Sequence, residues 1–132
     1  MLLATLDVPF TDDAIAFAVD AAVESGRSLL VVNVAEILLA PAALAGYGYV
    51  EKDELQLALG RVAELAGSLA VTVERLRVCS PHPVAALLQV ASERKVGLIV
   101  FGPDRAYLSR WRYWRTAKAI RARASTLVWI AD

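Results

Sequence analysis

One cysteine, one histidine and no glycine after position 102: these shortages narrow what the chain can do. Cys79 has no partner for an internal disulfide, which suits a reducing compartment and sets the expectation of a cytoplasmic protein. His82, flanked by Pro81 and Pro83, cannot belong to a histidine cluster and reads as part of an exposed turn. No metal-ligand spacing, nucleophile elbow or paired-carboxylate motif occurs, so no metal, no catalytic residue and no enzymatic activity are expected. No apolar run reaches the roughly 18 to 20 residues that a membrane span needs. The longest candidate, around Ile37 to Ala45, is interrupted by Pro41. Met1-Leu2-Leu3 runs straight toward Asp7 without the basic start of a signal peptide. Internal repeats, low-complexity tracts and linkers are also missing, so residues 1–132 are expected to form one domain.

What is present is apolar material, 58% of the residues, arranged in short blocks. Leu2 to Leu6 and Leu29 to Val34 are solid apolar runs without alternation, as expected of parallel strands covered on both faces. Between them Thr11 offers a helix N-cap, with Asp12 and Asp13 in the first turn, and Ile15, Val19, Ala22 and Val23 follow at helical spacing up to Gly26. The apolar stretch Ala35 to Val50, with Pro41, Gly46 and Gly48, reads as a loop that packs on its own domain or on a partner. Glu51, Asp53 and Glu54 then open a helix with Leu55, Leu59, Val62 and Leu65 on one face, ending at Gly67. Val71 to Val78 mixes apolar and polar residues and is placed near a sheet edge. Pro83 suits the first turn of a helix carrying Val84, Leu87, Leu88 and Ala91. Val96 to Phe101 makes a fourth strand, a helix ending near Ala124 follows, and Leu127 to Ile130 makes a fifth. Strand and helix alternate throughout, which specifies an α/β fold: an open, doubly wound, parallel five-stranded sheet with helices on both faces.

Charge is balanced in total but not along the chain. Residues 1–66 carry ten acids and three bases; residues 67–132 carry four acids and eleven bases. Seven of those bases fall between Arg105 and Arg123 with no acid among them. Arg112, Arg115, Lys118 and Arg121 recur every three residues, beside an aromatic series of Tyr107, Trp111 and Trp114. Such a pattern can grip single-stranded nucleic acid or an anionic membrane. The plainer reading is a solvated helix face with tryptophans used in the core or at a dimer contact, while Tyr113, Ala117, Ile120 and Ala124 face the core.

In sheets of this type ligands bind outside the carboxyl ends of the strands, where strand order reverses. Asp7 after the first strand and Gly102 after the fourth mark two such ends. They fit a nucleotide, or else Asp7 caps a loop and Gly102 turns the chain. At this point the chain resembles the universal stress protein family over nearly its whole length. The resemblance rests on Leu3-Ala4-Thr5-Leu6-Asp7, on Val31-Val32-Asn33-Val34 with Asn33 where a histidine is common, and on Pro83, Leu87 and Ala91 ahead of Leu98-Ile99-Val100-Phe101-Gly102. It implies the adenine nucleotide alpha hydrolase-like form of the fold.

ATP-binding members of that family carry Gly-x2-Gly-x9-Gly-Ser/Thr after the fourth strand, glycines that let backbone amides approach phosphates. Here Gly102 keeps the first position, whereas Arg105 and Arg115 stand at the second and third, followed by Thr116. The resemblance therefore implies a homodimeric regulatory module with no cofactor, acting on a protein partner and joined across the edge strand Thr126 to Ile130. The alternative is a nucleotide-binding switch for ATP or another adenine nucleotide, with at most slow hydrolysis. In it Arg105 and Arg115 bind phosphate, and Asp7 and the backbone near Val34 hold ribose and base.

Overall fold

The computed structural model describes residues 1–36 and 51–130. Five strands, β1 (Leu2–Thr5), β2 (Leu29–Glu36), β3 (Val73–Ser80), β4 (Leu98–Phe101) and β5 (Leu127–Ile130), alternate with four helices. The helices are α1 (Asp12–Ser25), α2 (Asp53–Ser68), α3 (Pro83–Glu93) and α4 (Arg110–Arg123). All strand pairs are parallel, in the order β3-β2-β1-β4-β5. The order reverses between β1 and β4, so the switch point lies at Asp7 and Gly102, the ends singled out from the sequence.

Alternate residues of each strand feed two cores. On one face Leu3, Val31 and Val100 pack with Ile15, Val19, Leu55 and Val62 of α1 and α2. On the other, Leu2, Ala4, Val32, Val34 and Phe101 pack with Leu87 and Ala91 of α3 and with Tyr113, Ala117 and Ile120 of α4. Both faces of β1, β2 and β4 are thus dry, which is why those strands read as unbroken apolar runs.

The helix ends follow local chemistry. Thr11 caps α1, its Oγ1 accepting from the amide of Ala14 at 3.1 Å, and Gly26 ends it with φ 66°. On α1 Val23 is exposed and Ala14 and Ala18 are buried; on α2 Leu65 is partly exposed and Ala58 and Ala66 take the inner positions. Small residues set these faces because they let the helices approach the sheet closely. β3 is one edge of the sheet, as its mixed pattern suggested, and β5 is the other. Ala35 and Glu36 finish β2; the rest of the apolar stretch, residues 37–50, lies outside the described residues. Among the described residues no helix is long and apolar enough to cross a membrane.

Candidate functional site

The carboxyl ends of β1 and β4 are stitched together by backbone. The Gly102 amide donates to the Ala4 carbonyl at 3.0 Å, and the Gly102 carbonyl accepts from Thr11 at 3.0 Å. The Asp104 amide donates to Pro9 at 2.7 Å, and Phe10 and Pro103 form an antiparallel bridge. Gly102 is buried, and a Cβ there would overlap the Cβ of Ala14 on α1. Glycine at this position is therefore required by helix packing, whatever else it does.

Asp7 adopts the left-handed region, φ 59°, which an aspartate tolerates better than most residues. A side chain from the neighbouring strand holds it there. Asn33, buried on β2, accepts from the Asp7 amide at 2.8 Å and donates to the Asp7 carboxylate at 3.3 Å and to Glu51 at 2.7 Å. One amide thus uses its acceptor and its donors together, tying the ends of β1 and β2 to Glu51, two residues ahead of α2. Val34, one residue on, is fully buried against the α3/α4 side.

Beyond β4 the arginines separate. Arg105 spreads its guanidinium over Tyr113 and Trp114, 5.0 and 5.2 Å from the ring centroids. Tyr113 in turn lies 5.6 Å from Phe101 and meets Trp114 edge-on at 5.2 Å. Arg105 therefore roofs an aromatic cluster. Helix α4 begins at Arg110, and Ser109 caps it by accepting from the Arg112 amide at 3.2 Å. Tyr107 precedes the helix, so the aromatic series is helical only from Trp111 onward. Trp111 is 68% exposed and carries the Arg115 guanidinium 4.4 Å from its ring, while Trp114 packs against the core.

Arg115 and Thr116 sit in the second turn of α4 and line a cleft of about 370 Å³ between α4 and the start of α3. Its other walls are Glu36 at the end of β2, Pro81 to Ala85, and Arg112 and Arg123 of α4. Arg112 is paired with Glu36 at 3.3 Å. Of the residues assigned from the sequence, the structure thus joins Arg115 with Thr116, sets Asp7 and Gly102 at the neighbouring switch point, buries Val34 beneath that edge and holds Arg105 on the aromatic cluster. Glu36, Arg123 and the α3 terminus escaped sequence reasoning. The one available signal was Pro83 preceded by His82, a helix start lacking the usual capping residue. Among the described residues no group of three or more His, Cys, Asp or Glu is placed to hold a metal.

Comparison with known proteins matches this arrangement. The profile of the Universal stress protein family covers residues 1–131. No curated protein is similar enough in sequence to count as a match. Among solved structures, the universal stress protein from Archaeoglobus fulgidus in complex with dAMP is 19% identical with a TM-score of 0.66, covering 99% of this chain and 96% of its own. A universal stress protein in complex with cAMP is 20% identical with a TM-score of 0.66, covering 99% and 95%. A family protein from Burkholderia pseudomallei is 16% identical with a TM-score of 0.64, covering 98% and 94%. At these identities the likeness is one of fold.

The expectation of no cofactor is corrected by the first two of these structures, which hold adenine nucleotides. That expectation rested on a missing glycine cradle for a triphosphate. dAMP and cAMP each carry a single phosphate and demand no such cradle.

Proposed function

The chain belongs to the universal stress protein family, whose members are in general non-catalytic regulatory proteins, and we propose that it is a cytoplasmic module responding to an adenine nucleotide with one phosphate. The observation that carries this reading is the cleft at the carboxyl edge of the sheet, where Arg115 and Thr116 meet Arg112 and Arg123. Its volume, about 370 Å³, suits a small ligand. With no glycine after Gly102 and the α4 terminus already capped by Ser109, phosphate is read by guanidinium groups and not by a backbone loop after β4. Asp7 and the backbone at Val34 stand at the adjacent strand ends, where ribose and base reach. Arg105 joins only by leaving Tyr113 and Trp114.

Thermal unfolding with AMP, dAMP, cAMP and ATP tests the reading, because a ligand of the native state raises Tm. The monophosphates are expected to raise it more than ATP at equal concentration. A Tm unmoved by all four at millimolar concentration refutes it.

The same proposal includes a homodimer across β5. That strand is an edge with one side unpaired, and Leu127 on it is 75% exposed. A two-fold contact there would pair the open backbone and cover Leu127.

A further inference from the structure

Helix α3 starts unusually for a helix at the edge of a cleft. Its N-cap is His82, which makes no side-chain cap hydrogen bond, and Pro83 at the first helical position has no amide to donate. The His82 carbonyl takes the Ala86 amide at 3.0 Å, and the His82 amide is taken by Ser80 Oγ at 3.0 Å. Among the described residues the amides of Val84 and Ala85 find no acceptor. Both residues line the cleft. At the α1 and α4 termini, by contrast, a side chain takes one of the first amides, Thr11 that of Ala14 and Ser109 that of Arg112.

A second observation comes from the facing helix. Thr116 is 6% exposed, lines the same cleft, and its hydroxyl has no hydrogen-bond partner among the described residues. A helical threonine can bond back to a carbonyl one turn earlier; no such bond is made here among the described residues. Among the described residues, Arg112, Arg115 and Arg123 line the cleft against one carboxylate, Glu36, which engages Arg112. Arg115 is held in place by its stacking on Trp111.

We propose that this cleft is a phosphate site in which the open N-terminus of α3 replaces the glycine cradle missing after β4. The Val84 and Ala85 amides, aided by the helix dipole, donate from one wall. Arg115, Arg123 and the Thr116 hydroxyl donate from the other. The ligand class is a phosphate monoester or free phosphate. The site shares its cleft with the nucleotide reading and rests on that reading only for the identity of the esterified group.

The test follows the backbone amides of the full chain by NMR during titration with inorganic phosphate, AMP and adenosine. Phosphate and AMP are expected to shift Val84 and Ala85, and adenosine to leave them in place. His82→Asp supplies an intramolecular carboxylate cap, so it should raise Tm while weakening phosphate and AMP at least tenfold. Arg115→Gln with Arg123→Gln should weaken both ligands by a similar factor at unchanged fold. If AMP binds these variants as tightly as the parent, or if no phosphate compound moves Val84 and Ala85, the phosphate site is wrong and the nucleotide reading stands or falls on its own thermal test. If the variants lose phosphate as expected but AMP, dAMP and cAMP bind the parent no more tightly than inorganic phosphate does, the site stands and the nucleotide reading falls.

Discussion

Gly102→Ala isolates the packing role of the glycine that follows β4. The added methyl meets Ala14 Cβ, which is fixed to the first turn of α1 and cannot swing aside as the tip of a long side chain would. Relief requires α1 to move off the sheet, straining the Thr11 to Gly102 hydrogen bond with it. Overpacking of this kind costs up to about 3 kcal/mol. The lower entropy of the unfolded alanine chain offsets about 0.4 to 1 kcal/mol of that. A net loss of about 1 to 2.5 kcal/mol is expected, and at the usual unfolding entropy per residue a chain of 132 residues then melts about 4 to 9 °C lower. Calorimetry on the ligand-free protein measures it. Adding Ala14→Gly to Gly102→Ala should recover part of the loss, because the two changes act on one contact, and the double-mutant cycle should show a coupling of about 1 kcal/mol or more. A melting temperature lowered by less than about 1 °C, or strictly additive variants, would refute the packing argument.

Three further outcomes are expected. Asn33→Ala leaves the Asp7 amide and two carboxylates without their shared partner and should destabilise the fold by about 1 to 3 kcal/mol in urea unfolding; a neutral effect would mean water replaces the amide. Arg94 donates to Glu74 at 2.6 and 2.9 Å and holds that carboxyl below its ordinary value. The pair's contribution to stability is present above the normal carboxylate range and disappears as pH falls through the lowered value. NMR titration should therefore show Glu74 returning to the ordinary range in Arg94→Gln, and the stabilities of the two proteins should converge in acid. Leu127→Lys on the β5 edge should turn a dimer into a monomer in sedimentation at micromolar concentration, and a parent protein that already sediments as a monomer removes the dimer.

The elements were legible because two rules act locally. Short solid apolar runs bounded by turn residues read as strands buried on both faces, and Thr11, Gly26 and Pro83 each punctuate a helix through their own backbone chemistry. The switch point followed from strand alternation. The start of α4 was not legible: Pro103 and Asp104 are held by contacts to Phe10 and Pro9, far away in sequence, so the point where the chain enters the helix could not be counted along it. The Asn33 clamp was hidden for a similar reason. Its partners, Asp7 and Glu51, lie on opposite sides of it in the chain and meet only once β1, β2 and α2 are in place. Arg105 and Arg115 looked equivalent in the sequence. In the fold one roofs an aromatic cluster and the other borders a cavity.

The absence of glycine after position 102 and the arrangement of the arginines have one physical explanation. A glycine loop binds phosphate by bringing several backbone amides close, which requires that those amides be unused. In this chain four of the amides after β4 are taken internally: Asp104 donates to Pro9, Ala106 to the Asp104 carboxylate, Tyr107 to the Asp104 carbonyl and Arg112 to Ser109. A loop tied this way needs no glycine, so arginine is tolerated at position 105 and at position 115 inside the helix. On the proposed reading, phosphate affinity at this edge of the sheet comes from donors that the fold leaves unspent. At the cleft those include Arg115 and Arg123 of α4, the Thr116 hydroxyl and the first amides of α3. The trade also changes selectivity. Backbone cradles wrap a chain of phosphates, whereas guanidinium groups across a helix terminus converge on one. A monophosphate preference and a strong weakening by salt are two outcomes expected on the proposed reading, since exposed charge pairs are screened within about 8 to 10 Å at physiological ionic strength.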